Sequence, residues 1–324
     1  MIGQARRRGI SQERACQAMG FRERTIQRWR RGACPTVRPG NPRPHNALTD
    51  SEKAVRASLV ARRDLADATC RDLSYHALEK EGVYVSSVSF HRYLASLQAS
   101  GDRVKRARRP RGGKPDTDWV TGPNQLWCWD ATRLASFLRW KFHYLFALQD
   151  WHSAFVVAWI LVDRENSSAA VELWDEGLSV QGLLSGPGIV KPKSLSDRGS
   201  PMKSRRTKAH LSYREVEQLF ARPRTPNDNP LIESTYGVLK TRMDYPGRFG
   251  SMDLASEWCG RFFKWYNFEH KHSRKGYVTP YELHHGLAEE VIRQRKAKIA
   301  EALMERRRVN SAVGQPAVRV TTLD

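Results

Sequence analysis

The sequence predicts an α/β domain built on a mixed sheet flanked by helices, preceded by all-α helix-turn-helix modules. Three observations carry this expectation. Residues 11–97 read as short amphipathic helices broken at glycines, residues 103–114 form a basic run containing proline and glycine, and from Asn124 onward short aromatic and β-branched runs give way to strand–helix alternation.

The first helical pair occupies residues 11–31, with Ala15, Ala18 and Met19 apolar in its first helix, Gly20 at the break, and Ile26 and Trp29 apolar in its second. Arg22, Arg24, Arg28, Arg30 and Arg31 crowd the second helix, so its outer face suits the phosphates and base edges of a major groove. An ordinary basic helical hairpin shares that outline. Beyond Pro35, Pro39, Pro42 and Pro44, Thr49 or Asp50 can cap a helix over 52–63. A second helix-turn-helix outline follows: residues 73–81, Gly82, then 86–97 with Val88, Tyr93, Leu94 and Leu97 apolar. Residues 103–114 hold seven basic side chains and no acidic one, so Arg106, Arg108 and Arg109 belong to a flexible linker able to lie along a phosphate backbone.

Strands are expected over 126–132, 142–149 and 155–162, close enough together for an antiparallel meander. An amphipathic helix over 168–177, with Ala169, Val171, Leu173 and Trp174 apolar, and a short strand ending at Leu195 come next. Asn229 can cap a further helix, Pro230 suits its first position, and Ile232, Tyr236 and Leu239 make its apolar side. Residues 289–308 read as a basic helix. The expected division is therefore 1–45 and 46–102 for the two helical modules, 103–117 for the linker, 118–287 for the α/β domain and 288–324 for a basic C-terminal segment.

Composition points to a polyanionic partner. The 55 Lys and Arg outnumber 34 Asp and Glu, a net charge of +21 that repels itself unless a polyanion such as nucleic acid answers it. The five cysteines, Cys16, Cys34, Cys70, Cys128 and Cys259, never form a CxxC pair, which suggests neither a disulfide framework nor a cysteine-rich zinc site and fits a reducing cytoplasm. Arg6, Arg7 and Arg8 are followed by no apolar core, unlike a signal peptide. Gln149, Asp150 and His152 interrupt the most apolar region, where a membrane span needs about 20 apolar residues.

Three acidic residues stand where strands or a helix present them at one edge of the sheet. Asp130 lies in the apolar run 126–132, Asp197 follows the strand ending at Leu195, and Glu233 sits in the first full turn of the helix after Pro230. Taken singly, an Asp at a strand end is more often a turn former. Brought together, three carboxylates repel and raise one another's pKa unless cations neutralise them, and oxygen ligands without thiolates suit Mg²⁺ or Mn²⁺. Two such ions about 4 Å apart would serve the two sides of a phosphoryl displacement.

The runs 126–132, Ser196-Asp197-Arg198-Gly199-Ser200-Pro201 and Asp228-Asn229-Pro230-Leu231-Ile232-Glu233-Ser234, together with the 35 residues between Asp197 and Glu233, resemble bacterial insertion-sequence transposases with a retroviral-integrase-type (Asp, Asp, 35, Glu) catalytic core. Trp265-Tyr266-Asn267, Glu269-His270, His272-Ser273 and Thr279-Pro280 recur in the order those proteins show, and the resemblance covers about 119–286. It implies a ribonuclease-H-like fold for the 118–287 domain, with Asp130, Asp197 and Glu233 as catalytic and metal-binding residues. It also implies two Mg²⁺ or Mn²⁺ ions, hydrolytic nicking at element ends and attack of the freed 3′-hydroxyl on a second phosphodiester, without a covalent enzyme intermediate.

The implied partners are double-stranded DNA, as terminal inverted repeats and target, and further copies of the chain on that DNA. The implied setting is the cytoplasm, in association with the bacterial nucleoid. Lys240, two turns beyond Glu233 on the same helix face, can contact the DNA end or be a solvated lysine. Asp150 is expected to make structural hydrogen bonds, His270 and His272 to pack or touch DNA, and Asp228 to support the helix start. Residues 202–221 are more basic and polar than the helix and strand usual there, and the zinc-binding His and Cys set of retroviral integrases is not visible. Helix-turn-helix modules and charge alone are also compatible with a catalytically silent DNA-binding protein, and the acidic triad with a nuclease of the same fold.

Overall fold

A computed structural model describes residues 9, 11–18, 20, 24, 44–97, 117–186, 188–221, 229–273 and 275–313. The chain divides into two compact units, Met1–Thr49 with Leu303–Asp324, and Asp50–Ala302. In the first, helix α1 (Gln12–Ala18) is described. There the buried Asn310 amide donates to the carbonyls of Pro44, His45 and Ala47 at 3.4, 3.0 and 2.7 Å. The second helix of the first predicted pair, with Arg22, Arg28 and Arg30, lies outside the described residues except for Arg24, which is helical and exposed. The linker arginines Arg106, Arg108 and Arg109 also lie outside them.

The second unit opens with α2 (Asp50–Ala61), α3 (Cys70–Lys80) and α4 (Ser87–Ser96). Thr69 and Asp72 form a reciprocal capping box at α3, and Ser86 caps α4. Val88 and Leu97, expected on the apolar side of α4, are exposed, and Phe90 fills that role fully buried. The correction follows from periodicity: Phe90 and Leu94 are one turn apart and define the inward face. The Glu79 carboxylate of α3 binds Lys271 at 2.5 Å and Arg295 at 2.6 Å. Tyr277 donates to Asp72 at 2.5 Å and stacks on Tyr75.

Among the described residues six strands form the sheet: β1 (Leu126–Ser136), β2 (Phe142–Asp150), β3 (Val156–Val162), β4 (Lys193–Ser196), β5 (Gln218–Phe220) and β6 (Arg248–Phe249). Their order is β3-β2-β1-β4-β5, with β6 paired to the end of β1. The β1–β2–β3 meander is antiparallel, and β4 and β5 add parallel to β1. This is the expected mixed sheet flanked by helices. β1 is central and covered on both faces, which is why its sequence is a continuous apolar run and not an alternation. Leu126, Cys128 and Leu134 face α8 (Pro230–Thr241) and α9 (Met252–Phe268) through Ile232, Leu239, Trp258 and Phe262.

Trp127 and Trp129 face the other way, onto α5 (Ser167–Val180), where both rings meet Trp174. Gly177 lets α5 come this close, since a Cβ there would stand 2.6 Å from a Leu148 methyl. Residues 202–221 do fold into helix and strand: α6 (Ser200–Lys203), α7 (Arg205–Tyr213) and β5. Their weak apolar signal is explained by economy, because Met202, Leu211 and Val216, with the partly buried Phe220, seat the segment against the α5 side of the core. α10 (Pro280–His284) and α11 (Ala288–Val313) complete the described helices. None of the helices among the described residues is long and apolar enough to cross a membrane.

Candidate active site

The geometry of the acidic edge follows from strand register. Cys128 pairs with Leu195 in the parallel β1–β4 ladder, so two residues further along each strand Asp130 and Asp197 come level. Asp197 has just left the sheet and is exposed; its Oδ1 accepts the Gly199 amide at 2.8 Å. It is thus also the turn former that a lone strand-end Asp usually is. A Cβ at Gly199 would sit 3.0 Å from that same Oδ1 and 3.0 Å from the Met202 sulfur, so this turn has little room for a side chain.

Glu233 reaches the edge through α8. Asn229 was expected to cap this helix with its side chain, but no such bond forms. Its Nδ2 instead donates to the carbonyl of Trp129 at 3.1 Å, tying the helix start to β1 one residue before Asp130. A helix end buried against a strand satisfies the strand's carbonyl first, and the backbone carbonyl of Asn229 takes the Glu233 amide at 3.3 Å. Tyr236, expected only as an apolar contact, is buried and donates to the Asp130 carbonyl at 2.7 Å. Lys240 donates to the Thr132 hydroxyl at 2.6 Å, on the same face of β1 as Asp130.

Electrostatics register the same convergence. Burial pushes the Asp130 carboxyl up to about 7; a backbone hydrogen bond at Ala131 opposes this, and the charges of Asp197, Glu233 and Glu165 add to the rise. Glu165, on the β3–α5 connection, is a neighbour that sequence reasoning missed, because nothing local distinguishes it from other loop acids. Desolvation lowers the pKa of Lys240 while the Asp130 charge pulls it back up. Among the described residues no three His, Cys, Asp or Glu side chains stand close enough to hold one metal ion. The acids feel one another's charge but are not drawn together as they stand.

The remaining candidates fall elsewhere. Asp150 is fully buried: Oδ2 accepts the Asn124 amide at 2.7 Å, and Oδ1 accepts the amide and hydroxyl of Ser153, each at 2.7 Å. Ser153 Oγ also meets His284 Nδ1 at 2.9 Å, and His284 Nε2 lies 2.8 Å from Gln181 Oε1. Burial would raise the Asp150 pKa, but these hydrogen bonds hold it below the ordinary range. The knot is structural, as expected of Asp150. His270 stacks on Tyr266, and the His272 amide binds the Val278 carbonyl at 2.9 Å. Asp228 lies outside the described residues.

Two family models, each described as Integrase core domain, match residues 120–226 and 214–280. A protein of Mycobacterium tuberculosis named as a transposase of insertion sequence element IS986/IS6110 is 24% identical over 220 residues, covering 64% of this chain and 77% of that one. One of Escherichia coli named as a transposase of IS150 is 23% identical over 215 residues, covering 64% and 74%. Among solved structures, the simian T-cell lymphotropic virus intasome bound to a PP2A regulatory subunit matches 71% of this chain and 74% of its own, with 18% identity and a TM-score of 0.44.

Proposed function

We infer that the chain belongs to the insertion-sequence transposases with an integrase core domain, and that it cuts DNA strands and joins them to new phosphodiester partners. The observation that carries the site assignment is the arrangement at one sheet edge: Asp130 on β1, Asp197 just past the end of the adjacent parallel strand β4, and Glu233 on a helix tied to β1 beside them.

Asp130, Asp197 and Glu233 would hold divalent metal, Mg²⁺ or Mn²⁺, as two ions. The donors are hard oxygens with no thiolate or imidazole among them, the donor set that Mg²⁺ and Mn²⁺ prefer. Metal bound there supplies Lewis acidity to the attacking and leaving oxygens of the phosphodiester. The protein does the positioning. Tyr236 fixes the backbone carbonyl of Asp130, Gly199 orients the Asp197 carboxylate, and Asn229 keeps Glu233 in reach of both. Among the described residues no three acids stand at chelating distance, so holding a metal ion would require Asp197 and Glu233 to come nearer to Asp130.

Lys240, beside Thr132, would contact a phosphate of the DNA end. Arg22, Arg24, Arg28 and Arg30 serve as a major-groove face, and Arg106, Arg108 and Arg109 track the backbone. Double-stranded DNA supplies both the terminal inverted repeats and the target, and bringing two ends together needs at least two copies of the chain.

The experiment is strand cleavage and joining on labelled DNA carrying the element ends, with Mg²⁺ or Mn²⁺, for the intact protein and for Asp130→Asn, Asp197→Asn and Glu233→Gln. Each variant is expected to lose more than the roughly 10- to 100-fold typical of a residue that only supports a metal ligand, while still binding DNA. Equal DNA binding with no cutting by any protein would instead indicate a silent DNA-binding protein, and cutting without joined products a nuclease.

A further inference from the structure

The most exposed aromatic side chain of the sheet lies at the tip of the β1–β2 hairpin. Trp140 is 81% exposed, with Phe137 at 69% and Leu138 at 63% beside it. Lys141 N bonds to Leu138 O at 3.1 Å, closing a turn in which Trp140 has φ +66°, the place where glycine or asparagine normally sits. A bulky residue in that conformation is rare and held only by its surroundings. The surroundings are firm: Phe137 N donates to Phe249 O at 3.1 Å, and Arg248 donates to the Ser136 carbonyl at 3.1 Å. The tip is therefore a rigid mount that presents an indole to solvent.

Its charge says what it faces. Residues 131–149 contain Arg133, Arg139 and Lys141 and no acidic residue, and the Arg139 guanidinium lies over the Trp140 ring at 5.4 Å. A second copy of a chain of net charge +21 would bring like charge against this tip, whereas a nucleic acid brings phosphates to the arginines and base faces to the indole. The tip also lies on the strand that carries Asp130, about 20 Å along it at ~3.3 Å per residue, or about six base pairs of duplex. Lys240 at Thr132 and Arg248 at Ser136 mark the line between.

We propose that the β1–β2 hairpin tip is a stacking platform, with Trp140 as its centre, that receives an unpaired DNA base about six base pairs from the strand being cut. This rests on the DNA-joining reading above and adds a preference for locally unstacked DNA.

The test measures affinity at fixed salt for a perfect duplex and for the same duplex with one unpaired 2-aminopurine. The proteins compared are the intact chain, Trp140→Phe, Trp140→Ala and Trp140→Asn. Intact protein and Trp140→Phe are expected to favour the unpaired duplex by at least about fivefold, the range of base–aromatic stacking, with a change in 2-aminopurine fluorescence on binding. Trp140→Ala and Trp140→Asn lose the preference and the fluorescence change while holding the perfect duplex within about twofold. An intact protein that binds both duplexes equally and still joins strands overturns the platform alone. Retention of the preference by Trp140→Ala overturns it too, as does loss of self-association in that variant with DNA binding unchanged, which would make the tip a contact between copies. Failure to bind either duplex removes the DNA reading itself.

Discussion

Asp130 holds its proton in the folded, metal-free chain to about pH 7, against an ordinary value of 3.8. A folded pKa raised above the unfolded one means that the stability linked to this group is whole below about pH 4 and is lost as pH rises to about 7. Asp130→Asn is expected to gain on the wild type across that interval, by up to ~1.4 kcal/mol per pH unit, and to level off above it. Thermal melts in chelator at steps between pH 4.5 and 8 measure the gap; a constant gap would show that Asp130 ionises normally. Mg²⁺ should restore the wild type at pH 8 and do little at pH 5. The acidic residues were legible in the sequence because interval and motif single them out. Asn229 and Tyr236 were not, since a cap and an apolar position are the commonest roles of such residues, and only the packed helix makes them partners of β1 carbonyls.

Among the elements, α3 shows how far a local reading extends. Its end could be read from Gly82, but its capped start at Thr69 and its attachment could not, the latter because Glu79 meets Lys271 and Arg295 from far along the chain. Glu79→Ala leaves Arg295, only 7% exposed, without its carboxylate. The loss expected is about 2–3 kcal/mol, below the full cost of breaking a buried pair because Glu79 keeps some solvent contact. Urea unfolding measures it, and a change under about 0.5 kcal/mol would mean that Tyr75 and Tyr277 hold the junction unaided. The strands β1 to β3 were legible from their aromatic and β-branched runs. β5 was not, since three residues paired on one side carry too little pattern. The extension of β1 to Ser136, with Leu134 and Ser136 buried, was hidden because the exposed Arg133 breaks the apolar run.

At the scale of the whole molecule, net charge sets the terms of DNA binding. With +21 to distribute, contacts to six or more phosphates would cost about 10³-fold in affinity between 50 and 200 mM salt. Anisotropy across that range gives the slope, and a shallow one would count against backbone tracking by the basic segments. The helices of 50–97 and the sheet were readable in outline because each has its own composition, and the fold's closure was not. It depends on the buried Asp150, Ser153 and His284 and the half-buried Gln181. Ser153 waits 131 residues for His284. During synthesis the hairpins of the meander can pair as they leave the ribosome, yet the polar knot at their base stays open until α10 has emerged. The last short helix of the domain therefore acts as a completion signal: a chain released early carries an unlocked sheet, and only one read through to His284 can shut it.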